Sequence, residues 1–203
     1  MPINQIDVLI KVVSVLDELA VPYVIGGSYA SSARGFARAT MDIDVLAALR
    51  PEHAEAFAAK LEPEFYADSH TIRRAALMRR SFNVIHMETS FKVDVFVAKP
   101  GGFDDQQLKR RQLEVVDEDQ QRTAFVSTAE DIILAKLRWY RLTNETSEKQ
   151  WNDVRGVVEV QGEKLDRMYL REWSQSLGVS DLLGRVFSEV DKNDQSLSPD
   201  DPA

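Results

Sequence analysis

A glycine turn and a pair of aspartates lie close together near the start of this chain. Gly26-Gly27-Ser28, here called the glycine turn, follows the apolar segment Tyr23-Val24-Ile25, and Asp42-Ile43-Asp44 begins fourteen residues after the serine. The apolar segment predicts a short buried strand, and the serine can cap a brief helix after the turn. The two aspartates, spaced two apart on a predicted strand, project from one face with Cα atoms about 6.6 Å apart. The order therefore predicts a strand, a turn, a helix and an acidic strand.

A third acid lies in the later segment Lys92-Val93-Asp94-Val95-Phe96-Val97. The three valines form a buried face, which places Asp94 on the opposite face of the strand. An acid within such an apolar run is costly unless it is paired, hydrogen-bonded or bound to metal. We therefore expect Asp94 on a strand adjacent to Asp42 and Asp44. The alternative is that Asp94 lies on the exposed side of an edge strand.

Carboxylates on one face of a sheet repel one another unless a cation lies between them. Carboxylate oxygens are the ligands that Mg²⁺ takes in proteins, at about 2.0–2.1 Å. Asp42, Asp44 and Asp94 are therefore predicted to hold Mg²⁺ (or Mn²⁺). For the first two, the alternative is a solvated strand edge with incidental acids.

The glycine turn is suited to binding phosphate. Gly26 and Gly27 allow the backbone to approach a ligand closely, and amides at the start of the following helix can bind an anion. Ser28 adds a hydroxyl donor at the same place. Because a Gly-Gly-Ser turn is common by itself, the specificity comes from the whole ordered set of turn and acids.

The chain divides by pattern into three parts. Residues 1–126 combine helical and strand patterns, residues 127–190 are helical, and residues 191–203 form an acidic tail predicted to be disordered. From residue 189 to 203 there are five acids and one lysine. We therefore predict an α/β fold with a mixed sheet, followed by a helical lobe.

Composition excludes several kinds of site. The chain has no cysteine and three scattered histidines, which excludes thiolate metal sites and disfavours zinc. The formal charge of −8 disfavours a surface that coats nucleic acid. No signal peptide and no apolar segment near the ~20 residues of a membrane helix is evident, so we expect a cytoplasmic protein without membrane contact.

The ordered set resembles the nucleotidyltransferase superfamily that includes DNA polymerase β. Gly27-Ser28, Asp42, Asp44 and Asp94 match its pattern, and the resemblance covers about residues 20–100. It implies a mixed-sheet catalytic domain, a nucleoside triphosphate such as ATP as substrate, and divalent cations held by the three acids.

Within this superfamily, the chain looks like the AbiEii-like nucleotidyltransferases of type IV toxin–antitoxin systems. Besides residues 25–28 and 38–44, the segments 129–138 and 150–154 fit a later lysine motif and a final aspartate motif. The apolar neighbourhood expected for Lys136 suits contact with an anion such as the triphosphate, and Asp153 can pair with Lys136 and orient that side chain. The resemblance implies that Arg38 touches phosphate. The alternative for Lys136 and Asp153 is an ordinary interhelical salt bridge. The family also implies tRNA as acceptor and an antitoxin protein as partner.

Three functions remain open from the sequence. The first is nucleotidyl transfer to an acceptor hydroxyl or RNA end by a toxin-type enzyme. The second is nucleotidyl transfer to a small molecule such as an antibiotic, which the acidic composition accommodates better. The third is a non-catalytic module that binds nucleotide or a partner, although all the expected acids are present.

Overall fold

The computed structural model describes residues 3–36, 42–117 and 119–197, with the side chains of Asp42 and of residues 193–197 outside that description. The strands are β1 (Tyr23–Ile25), β2 (Asp42–Ala47), β3 (Phe65–Tyr66), β4 (Ser81–His86), β5 (Lys92–Val97), β6 (Gln112–Asp117) and β7 (Arg122–Val126). The α-helices are α1 (Gln5–Glu18), α2 (Gly27–Arg34), α3 (Ala54–Leu61), α4 (Ser69–Met78), α5 (Phe103–Arg110), α6 (Ala129–Leu142), α7 (Glu148–Gln161), α8 (Arg167–Leu177) and α9 (Ser180–Leu197). Short 3-10 helices occur at Pro51–His53 and Gly162–Lys164.

The chain forms two compact units. The first comprises Met1–Ala30 and Ala39–Thr128, and the second comprises Ser31–Arg38 and Ala129–Ala203. The α/β first unit and the helical character of residues 129–197 agree with the fold predicted from the sequence. The sequence places the division at residue 126 and does not foresee that the end of α2 groups with the helical unit.

The strands of the first unit form one mixed sheet in the order β3-β4-β5-β2-β1-β7-β6. Strand β2 pairs parallel to β5 and antiparallel to β1, while β1 pairs parallel to β7. Strand β5 therefore lies in the interior of the sheet, between β2 and β4. Asp94 is consequently not on an edge strand, and the edge-strand alternative is wrong.

Alternation along β2 and β5 gives the sheet one apolar face and one mixed face. Ile43, Val45, Val93 and Val95 are buried on the apolar face. The intervening side chains are only partly buried, and we call their side the site face; they are Asp44, Leu46, Lys92, Asp94 and Phe96. Because successive side chains of a strand point to opposite faces, the apolar residues lie in the core and the acids lie on the site face.

Helix α1 supplies apolar packing to the first unit. Asn4 accepts from the Asp7 N–H at 2.9 Å and donates its own N–H to the Asp7 carboxylate at 2.7 Å, which forms a capping box. Apolar side chains then recur at helical spacing, and six of them are buried: Val8, Leu9, Val12, Val13, Val15 and Leu16. This spacing gives the helix one apolar face, which packs into the first unit.

Helix α5 follows Pro100-Gly101-Gly102, residues that are typical of a break in the chain and do not predict a helix. Asp104 accepts from the Lys99 N–H at 2.9 Å and Asp105 accepts from the Gly101 N–H, so acids of its first turn hold the preceding loop. Its Leu108 packs with Val24 and Ala98, against the partly buried Leu46 and Ala48. The helix therefore covers the apolar end of the site face.

The second unit contains a close approach between two backbones. A Cβ at Gly35, just after α2, would lie 2.8 Å from the Val157 nitrogen and 2.9 Å from the Gly156 carbonyl carbon. Such separations exclude any side chain at Gly35 without displacement of α7. This contact explains why the end of α2 belongs to the helical unit.

Helix α9 continues to Leu197, seven residues into the segment predicted as a disordered tail. Composition alone indicated disorder there. Once a helix is nucleated by packed residues, however, each added residue costs little, so a polar extension can continue it.

Among the described helices, none combines the length and apolar character needed to cross a bilayer.

Candidate active site

The glycine turn is attached to both the sheet and the following helix. The Gly26 N–H donates to the Asp44 carbonyl at 2.9 Å, and the Gly26 carbonyl accepts from the Ala30 N–H at 3.1 Å. Gly27 begins α2 with φ of +58°, in the left-handed region that favours glycine. Ser28 is buried in the first turn of the helix. The turn therefore has a fixed position at the end of β1.

Tyr29 anchors the start of α2 on its other side. Its hydroxyl donates to the Val116 carbonyl of β6 at 3.2 Å. Burial raises the pKa of the Tyr29 phenol, and the nearby carboxylates of Asp117 and Glu114 raise it further. The phenol therefore stays protonated and remains a donor at neutral pH.

Gly27 lies directly against the Asp44 carboxylate. A Cβ built at Gly27 would lie 1.8 Å from Asp44 Oδ2 and 2.6 Å from its Cγ. No side chain fits at this position while Asp44 keeps its conformation. Gly27 and Asp44, which the sequence predicts to bind phosphate and a cation, are thus in contact.

Asp44 and Asp94 lie opposite each other on neighbouring parallel strands. The register pairs Asp44 with Asp94 and Asp42 with Lys92. Paired residues on adjacent strands are about 4.7–4.9 Å apart and share a face of the sheet. Two partly buried carboxylates therefore project side by side from the site face, next to the glycine turn.

Two of the predicted site residues cannot be located fully. Asp42 is the first residue of β2, and its backbone is paired with Lys92, but its side chain lies outside the described part of the chain. Arg38 also lies outside the described residues. Their roles stay predictions.

The two oxygens of Asp94 differ in their surroundings. Oδ2 lies 3.0 Å from Lys92 Nζ. Oδ1 is buried and has no hydrogen-bond partner among the described residues. A buried carboxylate oxygen without a partner is costly, so this atom is suited to a cation or a proton donor.

The donor set fits Mg²⁺ in its chemistry, since the ligands are hard carboxylate oxygens. Among the side chains that the structure describes, no three His, Cys, Asp or Glu residues form a cluster able to hold a metal. The Asp42 side chain, which the prediction includes as the third ligand, is not among them. The orphaned Asp94 Oδ1 is the observation that favours a cation at this place.

Lys92 and Asn83 were missed by the sequence analysis. Lys92 is two residues before Asp94 and therefore shares its face, a spacing that was readable from the sequence. Asn83 on β4 is exposed and is paired with Asp94 in the antiparallel register, which only the structure supplies. Asn83, Asp94 and Asp44 thus form one polar row across β4, β5 and β2, and Gly26, just after β1, is hydrogen-bonded to the Asp44 backbone.

Lys136 and Asp153 form a buried ion pair within the second unit. Lys136 Nζ lies 2.8 Å from Asp153 Oδ2 and donates to Gln150 Oε1 at 3.0 Å. The two charged side chains are only 5% and 8% exposed. The predicted pairing is present, but it joins α6 to α7 and would also be expected of a structural salt bridge. The contact of Lys136 with a triphosphate stays a prediction.

The fold of this chain is similar to that of several solved structures. The chain aligns with the antibiotic-resistance factor ANT(2'')-Ia at a TM-score of 0.51 and 16% identity, covering 95% of this chain and 97% of that one. The two chains share their fold. This chain has the nucleotidyltransferase fold. The fold prediction is therefore confirmed.

Two other solved structures align with this chain at lower TM-scores. The lincosamide antibiotic adenylyltransferase LnuA aligns at a TM-score of 0.48 and 13% identity, covering 75% of this chain and 95% of that one. A CCA-adding enzyme aligns at 0.39 and 12% identity, covering 84% of this chain and 47% of that one. No protein-family model and no curated protein sequence matches the chain.

Proposed function

We propose that this protein transfers a nucleoside monophosphate from a nucleoside triphosphate to an acceptor hydroxyl, with divalent cations held by Asp42, Asp44 and Asp94. The observation that supports it best is the contact between Gly27 and the Asp44 carboxylate. It places a turn suited to phosphate directly beside an acid suited to a cation. A nucleoside triphosphate bound with Mg²⁺ requires both at once.

In the proposed reaction the acceptor oxygen attacks the α-phosphorus. A new P–O bond forms, the bond to the bridging β-phosphate oxygen breaks, and pyrophosphate leaves. Asp42, Asp44 and Asp94 would hold Mg²⁺, which when bound neutralises the phosphate charges. Asp94 also helps to remove the proton of the attacking hydroxyl, because its Oδ1 has no hydrogen-bond partner within the described chain.

The remaining side chains position the nucleotide. Backbone amides at Gly26 and Gly27 and the Ser28 hydroxyl hold phosphate oxygens. Lys136 contacts the triphosphate, and Asp153 orients the Lys136 side chain. Arg38 contacts phosphate. The first two of these roles rest on the burial of the Lys136–Asp153 pair and on the AbiEii-like motifs, and the role of Arg38 rests on the resemblance alone. Positioning and charge stabilisation then supply most of the rate.

For the acceptor we favour a small molecule with a hydroxyl group. The likeness of fold to the antibiotic-resistance factor, which covers 95% of this chain and 97% of that one, supports it. The net charge of −8 also disfavours a long polyanion. Transfer to RNA by a toxin-type enzyme with an antitoxin partner stays the second candidate, because the AbiEii-like motifs imply it.

Transfer of label from α-labelled ATP, GTP, CTP and UTP tests the proposal. Each is incubated with protein and Mg²⁺ or Mn²⁺, once with total RNA and once with a panel of aminoglycosides and lincosamides. We expect label in one small-molecule product. Label in RNA instead would establish the toxin-type acceptor. Nucleotide binding without transfer to any acceptor would identify a non-catalytic module.

Asp44→Asn is the decisive variant and Glu55→Gln its matched control, because Glu55 is an exposed acid on α3. We expect Asp44→Asn to lose at least about a hundredfold in transfer rate. The Glu55→Gln protein should transfer at the wild-type rate. Equal rates in both variants would contradict a catalytic role for the acids.

A further inference from the structure

Lys92 lies on the site face beside the acids. It is the first residue of β5, and its backbone register places it opposite Asp42 on β2. The next position on the same face holds Asp94, opposite Asp44. Four neighbouring positions of two parallel strands therefore carry three acids and one lysine.

The lysine is in direct contact with the third acid. Lys92 Nζ lies 3.0 Å from Asp94 Oδ2, and the two side chains are 36% and 19% exposed. Lysine and acid at positions i and i+2 of one strand can meet in this way only because both project from the same face. An ion pair at this depth is screened by water less than one on the open surface.

We propose that Lys92 is a built-in counter-cation of the acids, whose ammonium group competes with a divalent cation for Asp94. This inference rests on the proposed metal-dependent function. The neighbouring carboxylates of Asp44 and Asp94 destabilise each other, and the ammonium group offsets part of that repulsion. A divalent cation that takes Asp94 must displace the ammonium group from Oδ2 or bind beside it against like charge.

The competition couples the binding of the divalent cation to the binding of the nucleotide. A free divalent cation gains less binding free energy at a site where one of the acids is already neutralised by an ammonium group. A cation that arrives with a triphosphate brings anionic oxygens, which can accept the displaced ammonium group. The cation and the nucleotide should therefore bind together more tightly than either alone.

Manganese binding measured by electron paramagnetic resonance tests the proposal without turnover, because free Mn²⁺ gives a signal that bound Mn²⁺ loses. We expect Lys92→Met to bind Mn²⁺ at least about tenfold more tightly than the wild type in the absence of nucleotide. Lys92→Arg retains the charge and should bind as weakly as the wild type.

Lys60→Met is the matched control for net charge. Lys60 pairs with Glu18 at 2.7 Å on the surface of the first unit, between α3 and α1. Its removal changes the net charge equally without touching the site face, so Mn²⁺ affinity should stay at the wild-type value. Thermal unfolding of each variant establishes that it is folded.

The outcomes separate the two proposals. If Lys92→Met binds Mn²⁺ no more tightly than Lys92→Arg, while the wild type still transfers nucleotide, the role of Lys92 is overturned and the proposed function stands. If Lys60→Met tightens binding as much as Lys92→Met, the effect is one of net charge and the role of Lys92 is also overturned. If neither wild type nor variant binds Mn²⁺, with or without nucleotide, both proposals are overturned.

Discussion

Gly27 lies so close to the Asp44 carboxylate that a methyl group at Gly27 would be 1.8 Å from Asp44 Oδ2. The glycine is also held at φ of +58°. Two independent constraints, backbone conformation and contact with a carboxylate, therefore act on one residue. Glycine satisfies both, and the same contact brings a phosphate-binding turn against an acid.

Gly27→Ala tests this contact. We expect a loss of about 1–3 kcal/mol in the free energy of unfolding, since alanine is strained at this φ and displaces Asp44. Nucleotide transfer should fall with it, because both the turn and the acid move. Denaturant unfolding and the labelled transfer assay measure the two effects.

Gly184→Ala is the matched control, since Gly184 lies within α9 and a Cβ there would contact nothing within 4 Å. Alanine at an open helical position should stabilise by about 0.5–1 kcal/mol. If Gly27→Ala were as stable and active as Gly184→Ala, the contact would not matter.

The buried Lys136–Asp153 pair allows structure and function to be separated. Asp153→Ala removes the carboxylate that neutralises the buried Lys136 ammonium group while its hydrogen bond to Gln150 remains, and we expect a loss of about 3–5 kcal/mol. The double variant Lys136→Met/Asp153→Leu removes both charges and should recover most of that stability. If Lys136 contacts the triphosphate, the double variant stays inactive although it is stable.

A partly exposed pair on α7 is the control for that comparison. Arg155 and Glu159 lie 3.2 Å apart with side chains 32% and 24% exposed. Arg155→Ala should lose less than about 1 kcal/mol. If the stable Lys136→Met/Asp153→Leu protein transfers nucleotide at the wild-type rate, the pair has only a structural role.

A cluster of charges gives the first unit a defined pH dependence. Arg122 Nη2 lies 2.7 Å from Asp7, and Arg122 Nε lies 2.9 Å from Asp117. The Asn4 backbone N–H and then Arg122 lower the pKa of Asp7, and Arg122 lowers the pKa of Asp117. Because the folded-state pKa is the lower one, the cluster stabilises the protein above the ordinary carboxyl pKa. That contribution is lost as the pH falls through the lowered values.

Arg122→Gln should therefore destabilise the protein at pH 7. The difference from the wild type should shrink as the pH falls below about 4. Unfolding by urea at a series of pH values measures it. Arg73→Gln, at an exposed position of α4, is the control and should follow the wild type throughout. A difference that stays constant from pH 7 to pH 3 would contradict the role of the cluster.

The sequence predicts the elements around the acids because each has a strong local signal. Alternation along residues 92–97 separates valines from Asp94, and two glycines mark the turn after a short apolar strand. The position of Asp94 beside Asp44 followed from the cost of an isolated acid in an apolar run. That physical argument, rather than any local pattern, foresaw a contact between distant parts of the chain.

Other features depend on pairing and packing that no local pattern shows. The pairing of Asn83 with Asp94 depends on strand register, and α5 is set by its acidic first turn and by packing of Leu108 on the sheet. The approach of Gly35 to Gly156 and Val157 of α7 depends on two backbone segments that are distant in sequence. Lys92 was readable from its spacing, but its contact with Asp94 became meaningful only once the register of β2 and β5 was known.

Anomalous diffraction from crystals grown with Mn²⁺ and a non-hydrolysable nucleoside triphosphate tests the central claim most directly. The account predicts at least one manganese peak within about 2.5 Å of carboxylate oxygens of both Asp44 and Asp94, with phosphate density at the Gly26-Gly27 turn. An ordered nucleotide bound elsewhere, or manganese that contacts neither Asp44 nor Asp94, would contradict it.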